Sequence, residues 1–290
     1  MIKLNYINRI KANISIYSNK KTTNILDGTY KSIFKGKSMN FENLREYVIN
    51  DDVKDIDWKS SARSRSPLVK QYIAEKKHNI LLVMDSGIKM DADTDKLENK
   101  KELALFSAGT IGYIAIKNND YVGMIYQGKK IEFKPFKYNL YNLEEYLNNY
   151  KKQATTKENN INDILNYIAK NITKKSIIFI ITDLDGINKI EEQTLKRLRQ
   201  NNDISIININ DNLMTGENLF DVSDNEYIPE MFLKDKKLNE LEQKLKYQLF
   251  KDNETKLKKN NINHTSISTI KELNIKIIEL LEGNRYARNK

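Results

Sequence analysis

LLVMDSGIKM, residues 81–90, decides the fold. An apolar run with no polar alternation ends abruptly in the carboxylate of Asp85, with Gly87 and Lys89 following at spacings of two. Residues 80–84 therefore read as a strand buried on both faces, the pattern of a parallel sheet covered by helices on each side. The same pattern returns in SIIFIITD, residues 176–183, which delivers Asp183. In open α/β sheets ligands bind beyond the carboxyl ends of the strands, where the winding reverses. If the two strands are neighbours, Asp85 and Asp183 open into one crevice.

Working outward, strand and helix patterns alternate. Residues 97–116, 140–150, 160–171, 190–200, 234–260 and 269–282 read as helices. YVGMIY (121–126), KKIEF (129–133), DISIININD (203–211) and HTSIST (264–269) read as strands, with a hairpin-like turn at Gln127-Gly128 and HTSIST as an edge strand. The long 234–260 helix carries Leu238, Leu241, Leu245, Leu249 and Leu257 and is expected to cover the sheet. This rhythm predicts an α/β fold with a doubly wound, mostly parallel sheet over residues 76–290. Residues 1–75 break the rhythm; their turn signals at Asp27-Gly28 and Lys35-Gly36 predict a β-rich N-terminal extension.

Composition narrows the function. The 290 residues carry a formal net charge of +10 and no cysteine, which excludes disulfides, thiolate metal sites and cysteine nucleophiles. The first residues lack the apolar core of a signal peptide, and no apolar run approaches the roughly 20 residues of a spanning helix. A cytoplasmic protein with no membrane span is the expectation. The two histidines, His78 and His264, are far apart in sequence. The His-Glu-x-x-His, P-loop and Gly-x-Ser-x-Gly patterns are all absent. A basic surface suits acidic partners. Nucleic-acid binding and, less favoured, a metal-dependent hydrolase using Asp85, Asp183 and Asp185 are the alternatives to an interaction module without chemistry of its own.

Two strand-end carboxylates invite a divalent cation such as Mg²⁺, which prefers about six oxygens. The arrangement resembles the von Willebrand factor A-like fold and its metal-ion-dependent adhesion site, where the first strand ends in Asp-x-Ser-x-Ser. Here Asp85 matches the first aspartate, but Gly87 and Lys89 stand at the serine positions. Asn159 stands at the threonine position, with Thr155 and Thr156 nearby, and Asp183 matches the last aspartate. The resemblance implies a degenerate site, with no cofactor or with Mg²⁺ held weakly. Because paired carboxylates repel one another, Lys89 is expected to act as their tethered counter-ion.

Upstream lies GTYKSIFKGKSMNFENLREYVINDDVKDIDWKSSARSRSPLVK, residues 28–70. Its order of Gly28, Tyr30, Gly36, Arg45, Glu46, Tyr47, Asp51, Asp52, Asp57, Trp58 and Arg63 resembles the signature of domain of unknown function family 58. Members of that family join such a segment to a von Willebrand A-like domain. The sequence departs from the signature at Asn50, where glycine is usual, and at Asp55, where a basic residue is common. Charges of alternating sign around the lone tryptophan suit an internal network of arginine–carboxylate clamps. Arg45, Glu46, Asp51, Asp52, Asp57, Trp58 and Arg63 are expected either to pin the extension to the sheet or to form a partner surface. The resemblance implies a partnership with a MoxR-type AAA+ ATPase, with this chain as adaptor.

Overall fold

The quoted run forms a central strand of a six-stranded sheet in a computed structural model. The model describes residues 5–17, 20–31, 43–49, 51–71, 77–153, 155–157, 160–213, 220–221, 226–227 and 236–288. The strands are β1 (Asn43–Glu46), β2 (Leu68–Gln71), β3 (Asn79–Met84), β4 (Tyr121–Gln127), β5 (Ile131–Lys137), β6 (Ile177–Thr182), β7 (Asp203–Ile209), β8 (Phe220–Asp221), β9 (Glu226–Tyr227) and β10 (Asn263–Ile267). The helices are α1 (Asn5–Tyr17), α2 (Lys20–Tyr30), α3 (Trp58–Ser64), α4 (Lys100–Lys117), α5 (Leu140–Lys152), α6 (Ile161–Asn171), α7 (Leu184–Lys189), α8 (Glu192–Arg199), α9 (Lys236–Lys259) and α10 (Leu273–Arg288).

The main sheet runs β10-β7-β6-β3-β4-β5. Every pairing in it is parallel except β4 with β5, the hairpin expected after Gln127. The chain steps from β3 outward to β4 and β5, then returns to place β6 on the other side of β3. The winding therefore reverses between β3 and β6, and that is where a doubly wound sheet opens a crevice.

Alternation along β3 feeds two apolar layers. Ile80, Leu82 and Met84 join one core with α1, α2, α4, α5 and α10; Leu81 and Val83 join the other with α6 and α8. Helix α4 is buried from Leu103 to Ala115 except at Tyr113, because it lies between the sheet and a second tier of helices. Gly109 and Gly112 permit that tier: a Cβ on Gly109 would come within 2.2 Å of Ile10, and one on Gly112 within 2.8 Å of Leu143.

The N-terminal extension, expected to be β-rich, holds one antiparallel strand pair among its described residues, β1 and β2, with Asn43 opposite Gln71 and Glu46 opposite Leu68. Ahead of it, however, come two helices that turn signals did not reveal. Tyr6, Ile7, Ile10 and Ile14 of α1 and Leu26 and Tyr30 of α2 are buried in the first core. Glu144 of α5 fixes α1 in place, accepting the Tyr6 and Ile7 backbone N–H groups at 2.9 and 2.8 Å. A buried carboxylate thus satisfies two of the free N–H groups at the start of α1. In α2, the Tyr30 hydroxyl donates to Asp120 at 2.6 Å. Ile7, Ile10 and Ile14, spaced by three and four, form the buried stripe of α1.

Helix α9 also departs from expectation. Leu257 is buried at its C-terminal end, but Leu241 and Leu245 are more than half exposed. Its last turns cover the sheet; its first turns do not.

Candidate functional site

The sequence delivers Asp85 and Asp183 to one rim. Met84 lies opposite Ile181 in the parallel register, and the Asp85 N–H donates to the Ile181 carbonyl at 3.0 Å. Both carboxylates are 1% exposed. They line a narrow crevice of about 40 Å³ with Gly87, Lys89, Lys157, Asp185 and Lys189.

Asp85 is committed locally. One carboxylate oxygen accepts the Gly87 N–H at 2.8 Å, the turn-forming bond of an aspartate at a strand end. The other accepts the Thr182 hydroxyl, and the Asp85 backbone carbonyl accepts the Tyr150 hydroxyl. Burial, with the Asp85 charge behind it, pushes the Tyr150 phenol well above its ordinary value, so it stays a donor.

Asp183 caps α7, accepting the Gly186 N–H at 2.8 Å through one oxygen. Its other oxygen accepts from the ammonium of Lys100 at 2.8 Å. The same ammonium donates to Asp211, just beyond β7. Lys100 is the first residue of α4 and is fully buried. Burial works against its charge, but Asp183 and Asp211 more than offset this and lift its pKa above the ordinary lysine value. Burial raises the Asp211 carboxyl above its ordinary value despite the pull of Lys100.

The counter-ion assigned from sequence is therefore corrected. Lys89 does reach the crevice, but it is 56% exposed in its side chain and its ammonium pairs with Asp185 at 3.4 Å. Lys189 pairs with the same carboxylate at 3.1 Å. Burial opposes the Asp185 charge, yet these two lysines hold its carboxyl below the usual range. A lysine two residues past a turn points outward; the cation that meets Asp183 comes from a helix start.

Two signals could have found this cluster. Asp211 ends DISIININD, a third strand run closing on an aspartate. Lys100 lies on the stripe of Ala104, Ser107 and Ile111, at offsets of four, seven and eleven, all buried. Asn159, the candidate at the threonine position, lies outside the described residues. Thr156 lies beside the Asp85 turn, where its N–H donates to the Ser86 carbonyl at 2.8 Å and its carbonyl accepts the Ile88 N–H at 2.9 Å.

The residues present do not fit a divalent ion. The oxygens of Asp85 and Asp183 are engaged by hydrogen bonds or by an ammonium, and Gly87 and Lys89 supply no hydroxyl. Ser86, whose buried hydroxyl finds no hydrogen-bond partner among the described residues, does not line the crevice. Among the described residues, no group of three or more His, Cys, Asp or Glu side chains is placed to hold a metal.

The signature segment is built differently. Arg45 clamps Asp51 with two bonds of 2.6 Å each. Asp51 also accepts the Val48 N–H at 2.9 Å. Asp52 caps the single helical turn Val53–Asp55 by accepting the Lys54 N–H at 3.0 Å, and Asp57 caps α3 through Ser60 at 3.0 Å. The Ser61 hydroxyl donates to the Asp57 carbonyl at 2.7 Å and accepts the Leu68 N–H at 2.8 Å, tying α3 to β2. Glu46 and Arg63 are exposed. So is Trp58, at 66%, together with Val48, Ile49 and Val53. Among the described residues of 43–71 only Val69 is buried. Trp58 does not pin the segment to the sheet, and that structural reading is corrected.

Residues 43–225 match the family model described as Protein of unknown function DUF58. Among curated proteins, the uncharacterized proteins Mb1516 of Mycobacterium bovis and Rv1480 of Mycobacterium tuberculosis are each 30% identical over 95 residues. Each match spans 33% of this chain and 30% of the relative, so the chain covers less than a third of their length. Among solved structures, BatB from Bacteroides thetaiotaomicron is similar with a TM-score of 0.43 and 15% identity, over 73% of this chain and 100% of that one. An aerotolerance-related membrane protein from Bacteroides fragilis gives 0.43 and 14%, over 71% and 98%. A von Willebrand factor type A protein from Catenulispora acidiphila gives 0.39 and 10%, over 73% and 43%. The expected cytoplasmic location is corrected by these neighbours: two similar structures are named as membrane or membrane-spanning proteins, and the cytoplasmic assignment is withdrawn. No helix among the described residues is long and apolar enough to cross a membrane. With its signature segment joined to a mostly parallel six-stranded sheet, the chain belongs to the DUF58 family of proteins of unknown function.

Proposed function

We propose that this chain is a protein-interaction module without chemistry of its own, docking its partner through the signature segment. The strand-end crevice is then a degenerate adhesion-type site rather than a catalytic centre. The observation that carries the reading is the exposure of Trp58 at 66%. The carboxylates of Asp51, Asp52 and Asp57 are spent inside the segment, which leaves an apolar side chain of large area facing solvent. Exposed tryptophans held by a rigid surround are what interfaces use as anchors. Catalysis has less support: the buried carboxylates of the crevice are held by hydrogen bonds and an ammonium, which leaves no paired acid and base open to substrate among the described residues of that rim.

The partner is a MoxR-type AAA+ ATPase, the class that the family resemblance implies. Purified chain carrying Trp58→Ala should keep its circular dichroism spectrum and unfolding midpoint and lose capture of a purified MoxR-type AAA+ ATPase. Unchanged capture would remove Trp58 from the interface. Failure of the wild-type chain to bind the ATPase would remove the partner.

A further inference from the structure

We propose that the Lys100 ammonium, buried behind the strand-end crevice and bridging Asp183 to Asp211, neutralises Asp183 in place of the divalent metal that an adhesion-type site would hold there. The proposal rests on reading the crevice as a degenerate adhesion-type site, and is independent of which partner the chain engages.

Three observations carry it. First, position: the lysine is the first residue of α4, beside β3 and β6. A cation at a helix N-terminus sits at the unfavourable end of the helix dipole. Full burial makes it more costly still, so it requires compensation by carboxylates of its own. Second, coordination: the ammonium donates to one oxygen each of Asp183 and Asp211, the ends of two adjacent parallel strands. Asp183 is one of the two carboxylates that a metal at this rim would take, and Asp211 gives the ammonium its second partner. Third, the remaining donor set: Gly87 and Lys89 replace two hydroxyls, while both carboxylate oxygens of Asp85 are occupied. A divalent ion entering here would have to strip these bonds and lie beside a buried ammonium.

A covalently tethered cation also differs from a metal in what it permits. A bound Mg²⁺ keeps sites open to water or to a partner's carboxylate. An ammonium has three N–H groups and no such open coordination site. The crevice is thus closed to capture of an acidic side chain through a metal bridge, and binding by this chain is insensitive to chelators.

Mn²⁺ binding followed by electron paramagnetic resonance, and thermal unfolding with and without Mg²⁺, test this on the full chain. Wild type should bind no Mn²⁺ saturably at millimolar concentration, and its Tm should not move with Mg²⁺. Lys100→Gln keeps the length of the side chain and removes its charge. It should gain saturable Mn²⁺ binding and a Tm increase of about 3 °C or more with Mg²⁺, and adding Asp183→Asn should abolish both. If Lys100→Gln folds only when Mn²⁺ is present, that supports the proposal as well. If it does not fold at all, Lys100→Met, which leaves both carboxylates in place, is used in the same titration. Saturable Mn²⁺ binding by wild type that Asp183→Asn abolishes would overturn the proposal. So would a folded Lys100 variant that keeps both carboxylates and gains no metal. Neither result bears on Trp58, so failure here and failure of the docking surface are told apart.

Discussion

The strand-end crevice and the signature segment use the same chemistry, carboxylate against cation, to opposite ends. In the crevice the partners are far apart in sequence: Lys100 meets Asp183 and Asp211 across 83 and 111 residues. In the signature segment they are close, Arg45 meeting Asp51 across six. The first network is buried and locks strand ends to a helix start. The second is open to solvent and shapes a small surface unit that bears Trp58. One network belongs to the core; the other leaves a surface free.

The largest expected effect follows from that burial. Breaking a buried ion pair from one side leaves an uncompensated charge and costs about 3–5 kcal/mol. Lys100→Met should therefore destabilise the chain by roughly that amount in urea unfolding, and by more than Asp211→Asn alone. Replacing all three partners together with Met, Asn and Asn should recover much of the loss, because no buried charge is left behind. A Lys100→Met protein as stable as wild type would mean that the crevice is no more a core network than the signature segment is.

The N-terminal helices fall on the core side of the comparison. Glu144 is fully buried and holds two N–H groups of α1, so Glu144→Ala should cost about 1–3 kcal/mol by leaving them unsatisfied. Hydrogen exchange should rise first at Tyr6 and Ile7. Trp58→Ala should change stability by no more than about 0.5 kcal/mol, since an exposed side chain leaves no cavity. A larger loss would move Trp58 into the core's half of the comparison and undo its assignment as a docking residue.

Most of the sheet could be read from the sequence, because buried parallel strands are near-continuous apolar runs and β3 and β6 are nothing else. Their shared rim followed from two aspartates at equivalent ends. What escaped reading has a physical cause in each case. Helix α1 reaches the core through Ile7, Ile10 and Ile14, too few apolar residues to stand out in a lysine- and asparagine-rich chain. Lys100 sits in a polar run with Lys101 and Glu102, where burial is set by α4's docking against the sheet rather than by its neighbours. Lys89 misled because nearness in sequence is a poor guide at a turn: the chain reverses and aims the side chain at Asp185. Trp58 stayed between a structural and a partner-binding role because a lone tryptophan serves either, and only its exposure in the fold favours the second.

A pH titration separates the two networks at their weakest point, with the smallest effect. The Arg45 guanidinium holds the Asp51 carboxyl below its ordinary value of 3.8, and the Ser60 N–H does the same for Asp57. A carboxylate whose folded pKa is depressed adds stability above its unfolded value and loses it as pH falls through the folded one. Lys100 has the opposite sign: its pKa is raised above 10.5, so its contribution is complete below that value and is lost as pH rises through the folded pKa. Acid should therefore loosen the signature segment and strong base the crevice. Trp58, the chain's single tryptophan, reports the first directly. Its emission should shift as pH falls below about 4, and Asp51→Asn should already show part of that shift at neutral pH. In the variant the contribution of the Arg45–Asp51 clamp is gone while Asp57 still titrates, so the remaining shift should be smaller. An emission that shifts in strong base but not in acid would tie Trp58 to Lys100 and erase the boundary between the two regions.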